Sequence, residues 1–366
     1  MRSQPSTQSD RSRTVVRVVA VLGLALSACT AGPIGEADGE LVIGTLLPLT
    51  GNQTEEGIAS REAMDAQLGE IAAANEFDEL QIRLVHTDVR SDNGLLPAAI
   101  QELDANNVDV VIGPPNNSQD VVTRELLAGI GVVVHLPLSQ PAAGQAVMMA
   151  DALIADGHQL VTLMIPNTTP SEFADALAGR LTENGGTLLS QIEFDPAVER
   201  FDPEVVLAAE DESTAVLILG AGSSQSLIDR LEGAGAGPSN RAVYLLGNTA
   251  GVQPEVGLRL IEPLAPLADR VSDRLVVAAL AAAKAETDDP ATVAGSISEV
   301  VNGETLCSSF ANCLTALREN GSVQFAGKGA NGYTDSGEPT EVPYRLTAFT
   351  VDGEIDEAAS RVITSG

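Results

Sequence analysis

The sequence predicts an α/β protein built on doubly wound parallel sheets. Three observations predict it. From Leu41 onward, short apolar runs bounded by Gly and Pro alternate with stretches of helical periodicity, the pattern of strand–helix–strand units. A second series of the same kind begins near Gly144, and 366 residues is long enough for two domains. The third observation is the segment 108–118 (VDVVIGPPNNS). Its apolar run reads as a buried strand, Gly113 and two prolines break it, and Asn117 or Ser118 can cap a helix carrying Val121, Val122, Leu126 and Leu127. A strand, a tight turn and a polar helix start place backbone N–H groups at the carboxyl edge of a parallel sheet, where such sheets bind ligands.

In chain order, residues 1–28 are a leader. Arg2, Arg11, Arg13 and Arg17 make it basic, and its apolar stretch, 15–26, is too short to span a bilayer. Residues 29–40 form a short polar tether bearing Gly and Pro. Strands are expected at 41–47, 80–85, 108–112 and 132–134, with helices at 55–74, 95–106 and after Ser118. In the first helix Ile58, Met64, Leu68 and Ile71 recur near helical spacing. The second series gives helices at 145–155, 171–184 and 203–209, and strands at 160–165, 188–194, 215–219 and 242–246. Turns at Gly220 to Ser224 and at Gly247-Asn248-Thr249 end the last two strands. Helices follow at 275–285 and 292–301, then a Gly-punctuated, β-rich tail from 322 to 353.

Composition narrows the function. The chain has a formal net charge of −31, and aromatics make up 3% of it with no Trp, which argues against a site with aromatic walls. Removing residues 1–28 takes four Arg and Asp10, leaving 16 basic against 50 acidic side chains and a net charge near −34. Nucleic acid is excluded as a partner by that charge, and anionic lipid surfaces are disfavoured. The sequence has no G-x-S-x-G elbow, H-E-x-x-H or phosphate-binding G-x-x-x-x-G-K-[ST] loop, so no enzyme chemistry and no cofactor is expected. His86, His135 and His158 are scattered and read as loop or core residues. Asp88 and Asp92 either chelate a cation or cap a helix entrance. Cys307 and Cys313, six residues apart, are the thiols of the folded part, and an exported chain would pair them.

Several segments together resemble a known family. Leu26-Ser27-Ala28-Cys29 resembles a bacterial lipobox, which implies cleavage before Cys29 and a lipid on its sulfur; an ordinary secretory signal is the alternative. Behind it come Ile43-Gly44-Thr45-Leu46-Leu47-Pro48-Leu49-Thr50-Gly51 with Gly57, then Asp88 with Asp92, then Val110-Val111-Ile112-Gly113-Pro114. The tail adds Gly321, Phe325-Ala326-Gly327, Asp335-Ser336-Gly337, Tyr344 and Asp352-Gly353. In this order they resemble the leucine/isoleucine/valine-binding family of substrate-binding proteins, which serve ABC importers. The resemblance implies the type I periplasmic binding protein fold: two Rossmann-like lobes joined by a hinge of three crossover strands, with ligand in the cleft. The first lobe would hold 41–138 and 255–340, the second 139–254 and 341–366. It also implies ABC permease subunits as partners and an extracytoplasmic, membrane-anchored location.

The chain departs from the family where an amino acid would be held. Asn117, with Ser118 beside it, falls where the family places a carboxylate-binding Ser. No Tyr follows the strand ending at Ile165, and Asn248 and Thr249 stand where an acid often takes the ligand ammonium. Glu56, at the first turn, either meets a ligand ammonium or is a solvated helix-start carboxylate. The expected ligand contacts are Thr50, Glu56, Asn117 and Ser118 in the first lobe, with Thr169, Gly222 and Thr249 in the second. The expected function is a solute-binding lipoprotein for a small polar ligand such as an amino acid or amide. The alternative is a binding-protein-like lipoprotein that has lost its ligand and serves a structural or sensing role.

Overall fold

The computed structural model describes residues 37–74, 81–90, 94–115, 117–131, 134–195, 201–220, 224–247, 249–330 and 332–364, with backbone alone at 117–119 and 121. The leader and Cys29 lie outside the described residues, as do Asp92, Gly222 and Asn248.

Buried apolar runs make the first sheet. The elements β1 (Glu40–Leu47), α1 (Thr54–Ala74), β2 (Gln81–Asp88), α2 (Leu96–Ala105), β3 (Val110–Ile112), α3 (Asn117–Ile130) and β4 (Val134–Leu136) alternate as expected. The strands lie in the order β2-β1-β3-β4, all parallel, with Ile43 opposite Leu84 on one side and Val110 on the other. β1 is buried from Leu41 to its end, which is what a central parallel strand covered on both faces requires. Ile58 is a correction: it is 38% exposed, and α1 instead buries Gly57, Ser60, Met64 and Ile71. That stripe runs at steps of three, four and seven, and Ile58 falls one position off it. At Gly57 a Cβ would stand 2.2 Å from the Pro48 carbonyl oxygen, so α1 lies against the turn that leaves β1 only because this residue has no side chain.

The second sheet is larger. It is built from α4 (Ala142–Ala155), β5 (Leu160–Pro166), α5 (Ser171–Glu183), β6 (Thr187–Phe194), α6 (Asp202–Glu210), β7 (Ala215–Leu219), α7 (Ser224–Ala234), β8 (Ala242–Leu246) and β9 (Leu258–Pro263). Then α8 (Leu267–Ala285), α9 (Pro290–Val301), β10 (Leu306–Cys307), α10 (Phe310–Asn320) and β11 (Gln324–Phe325) return to the first sheet's side, where α8 packs on α1 and α9. Finally β12 (Tyr344–Ala348) and β13 (Arg361–Ile363) complete the order β13-β12-β9-β8-β7-β5-β6. The strands β6, β5, β7, β8 and β9 are parallel; β12 runs antiparallel to β9 and β13. The chain therefore passes between the two sheets at 137–141, at 264–266 and between β11 and β12.

Two boundaries differ from the sequence reading. β9 falls in the span 255–340 expected in the first lobe, yet it pairs with β8 and β12 in the second sheet, so the passage back lies at 264–266. Helix α8 starts eight residues before the expected 275, because its first turns bury charged side chains that broke the apolar pattern. Helix α10 lies in a span to which the sequence reading assigns no element: Ser309 caps it by accepting from the Asn312 N–H, and Gly321 ends it at φ 79°. Cys307 and Cys313 sit side by side where β10 leads into α10, with Cα atoms 5.2 Å apart.

Asp109, at the entry to β3, is a buried carboxylate that accepts the Val42 N–H at 2.8 Å. Burial, with the nearby Asp288 and Asp38 charges, pushes it up to about 7. An unfolded Asp titrates near ~3.9. Between those values the native state holds a proton that the unfolded chain has lost, so stability falls as pH rises from about 4 to about 7 and levels off above. Asp109→Asn keeps an acceptor and cannot ionise. Urea titrations should show the variant gaining on the wild type between pH 4.5 and pH 7.5; a difference constant across that window would refute the assignment.

Candidate functional site

Parallel strands deliver their following loops to one end of a sheet. Here the two sheets turn those ends toward each other, and a cavity of about 570 Å³ lies between them. Asn52, Gln53, Glu55 and Glu56 reach it from the β1–α1 turn, Pro115 from the end of β3 and Ser139 from the first passage between sheets. Across the cavity stand Pro166 after β5, Gly220 after β7, Gly247 and Thr249 after β8, and Glu262 and Pro263 of β9. Pro266 and Arg270 come from the start of α8, Gln145 from α4 and Tyr344 from β12. β12 is antiparallel to β9, so its first residue, Tyr344, lies opposite Pro263 at this same end.

Of the expected contacts, Glu56 and Thr249 line this cavity. Thr249 is engaged from within, its hydroxyl donating to the Glu262 carboxylate. Thr50 does not line the cavity. Its N–H and hydroxyl both donate to Asp88, at 3.1 and 2.6 Å, and Asp88 also accepts from the Leu49 and Arg90 N–H groups. Burial pushes the Asp88 carboxyl up, but these hydrogen bonds outweigh it and hold the group below its ordinary value. Asp88 is thus the anchor of the turn. Thr169 also stays off the cavity, in the turn after β5, where its N–H meets the Pro166 carbonyl at 2.9 Å. The side chains of Asn117 and Ser118, and all of Gly222, lie outside the described residues.

The three histidines, read from the sequence as loop or core residues, are half-buried and do not line the cavity. His135 Nε2 lies 2.6 Å from the Gly113 carbonyl, and burial lowers its pKa. His86 Nδ1 lies 2.8 Å from the Thr45 hydroxyl, and burial lowers it too. His158 packs edge-on against Tyr244. Among the described residues no group of three or more His, Cys, Asp or Glu could hold a metal.

The sequence reading missed the buried cation of the cavity wall. Arg270 is 6% exposed, and burial lowers its pKa. Its Nη1 reaches the Leu138 carbonyl at 3.4 Å, while its Nε has no partner. One helical turn on, Arg274 also has a buried unpartnered nitrogen, Nη1, but its Nε donates to the Pro137 carbonyl at 3.0 Å and its guanidinium lies 4.6 Å from the centre of the Tyr333 ring. Beside Arg270, the buried Tyr344 hydroxyl accepts from Gln145 Nε2 at 2.6 Å. Neither Arg270 nor Gln145 carries a sequence signal, since an Arg in a polar stretch ordinarily reads as solvated.

No protein-family model matches the chain, and no curated protein does either. Solved structures do match. The branched-chain amino acid transporter substrate-binding protein LivJ of Streptococcus pneumoniae, in complex with isoleucine, aligns at TM-score 0.60 and 13% identity, covering 89% of this chain and 99% of that one. The leucine-binding protein LivK of Thermotoga maritima aligns at 0.62 and 14% identity, covering 88% and 98%. A solute-binding protein of an ABC transporter from R. palustris, in complex with benzoate, aligns at 0.60 and 12% identity, covering 87% and 95%. The chain has the type I periplasmic binding protein fold, as its motifs implied.

The Thr50–Asp88 contact makes a test. Thr50→Val should lower stability by about 0.5–1.5 kcal/mol, the worth of one hydrogen bond, as a shift in urea midpoint at unchanged slope. A wild-type midpoint would show that the contact adds nothing.

Proposed function

We propose that this chain is the extracytoplasmic solute-binding lipoprotein of an ABC importer, closing its two lobes on a small polar solute such as an amino acid or amide. The cavity carries the reading. It is formed by both sheets at their ligand-binding edges, and its size, about 570 Å³, falls within the ~300–1,000 Å³ of small-molecule sites. Closure would exclude water and strengthen each polar contact. The solved structures of like fold support it, since their names are those of transporter binding proteins. On this reading lobe 1 is 41–136 with 267–325, lobe 2 is 142–263 with 344–364, and the segments between are the hinge.

The rest of the assignment follows from the leader. Cys29 would carry lipid and hold the protein at the membrane, permease subunits would be its protein partners, and Cys307 and Cys313 would be oxidised outside the cytoplasm. We assign no catalytic role and no cofactor.

Thermal unfolding against amino acids, amides and polyamines, with solution scattering on the same samples, is the test. A true ligand at a hundredfold excess over its Kd stabilises by about 2.7 kcal/mol and should make the particle more compact. No shift and no compaction with any solute would favour the structural or sensing lipoprotein. Labelled palmitate should enter the wild type and not Cys29→Ala; equal labelling of both would remove the lipid anchor from the assignment.

A further inference from the structure

Arg270 is a permanently charged group in the wall of a cavity, and the protein around it leaves it incompletely paired. Its Nε is buried without a hydrogen-bond partner, and among the described residues its hydrogen bond is to the Leu138 carbonyl at 3.4 Å. No carboxylate among the described residues forms an ion pair with it; the acid whose charge it feels is Glu56, exposed at the cavity's edge. Buried charges are ordinarily paired. Arg274, on the same face of α8, likewise keeps one buried nitrogen, Nη1, without a partner, but it is given a carbonyl at 3.0 Å and an aromatic face at 4.6 Å. Arg274 does not line the cavity and Arg270 does.

Two neighbours add to the same polarity. Arg270 is in the first turn of α8, and Pro266, which caps that helix, also lines the cavity, so the positive end of the helix dipole points to the same place. The Tyr344 hydroxyl accepts from Gln145 and has its own proton to give. At the opposite end of the polarity, Glu55, Glu56 and Glu262 are exposed acids lining the cavity.

We propose that Arg270 is the anion-binding residue of the cleft, and that the solute is a small monocarboxylate seated on its guanidinium and on Tyr344, with any cationic end turned toward the acids. Arg presents two parallel N–H groups that match a carboxylate. The exposed acids would select against a second negative charge. This inference rests on the binding-protein reading above, and it moves the anion contact from the Asn117–Ser118 turn to helix α8.

The test uses acid–amide pairs on the full folded chain: L-leucine with L-leucinamide, and benzoate with benzamide, by calorimetry. At least one acid should bind at least 10-fold more tightly than its amide. Arg270→Met should weaken that acid by about 10- to 150-fold and leave the amide nearly unchanged, while Arg270→Lys, which keeps the charge and loses the paired N–H groups, should fall between wild type and Arg270→Met. The ligand-free Arg270→Met protein should unfold at a urea midpoint equal to or above that of the wild type, because an incompletely paired buried charge is gone. An amide that binds the wild type as tightly as its acid overturns the proposal without need of any variant. So does an acid preference that survives in Arg270→Met, or a lower midpoint with binding unchanged, which marks a structural arginine. Binding of spermidine with none of the four probes bound overturns this inference and leaves the binding-protein reading standing; silence of every solute overturns both.

Discussion

Two guanidiniums on one helix are buried where the chain passes between its sheets, and much of the structure is arranged around them. Taking an ion out of water costs several kcal/mol even after relaxation, so each must be met by something fixed. Arg274 Nε is met by the carbonyl of Pro137 and Arg270 Nη1 by that of Leu138, both in the first passage. The buried Asp273 lies between them in sequence and is pinned in turn by the Gly329 N–H at 2.6 Å. Its place is so tight that a Cβ at Gly327 would fall 2.2 Å from its carboxyl carbon. The Phe325-Ala326-Gly327 segment of the tail thus has a physical cause: glycine is the residue that lets the third passage lie against the acid on α8.

A second fixed point serves the first-lobe edge of the cleft. Asp88 gathers two backbone N–H groups of the β1–α1 turn, the Thr50 hydroxyl and the Arg90 N–H. Its depressed pKa means that this stabilisation is present above the unfolded Asp value and is lost as pH falls through the native one. The absent side chain at Gly57 then brings α1 down on the same turn. Glu56 owes its place at the cavity to these two contacts.

Most of the fold was legible because parallel strands covered on both faces read as unbroken apolar runs, as at Val110–Ile112 and Ala215–Leu219. What was not legible had charges interrupting the apolar pattern. β9 carries Arg259 and Glu262, and the first two turns of α8 carry Asp269, Arg270, Asp273 and Arg274, so neither shows a clean period. α10 hid behind its cysteines, although Ser309, Leu314, Leu317 and Gly321 supply a cap, a stripe and a stop. The site followed the same division. Glu56 and Thr249 were found by the rule that ligands meet strand ends. Thr50 obeyed that rule and failed, since the rule locates a turn without saying which of its side chains are already spent on the turn itself. Tyr344 had been noted only as a tail motif, because its presence at the cleft depends on β12 running antiparallel to β9, a fact of topology and not of local sequence.

The charge distribution sets how such a cleft could work. A chain of net charge −31 repels anions at long range, so no steering field brings a carboxylate in. At physiological ionic strength that repulsion is screened beyond about 8 Å, whereas a charge buried in the cavity wall is screened far less. The two therefore separate by depth. The exposed carboxylates act more weakly, through solvent, on the rate of entry and on the charge a solute can carry at their end of the cavity. The guanidinium of Arg270 acts at contact, in a medium of low effective dielectric, and its full attraction is felt only by a solute that has shed its water and reached the wall. If the two lobes close on a solute as proposed, selectivity in such a site would reside in the closed state.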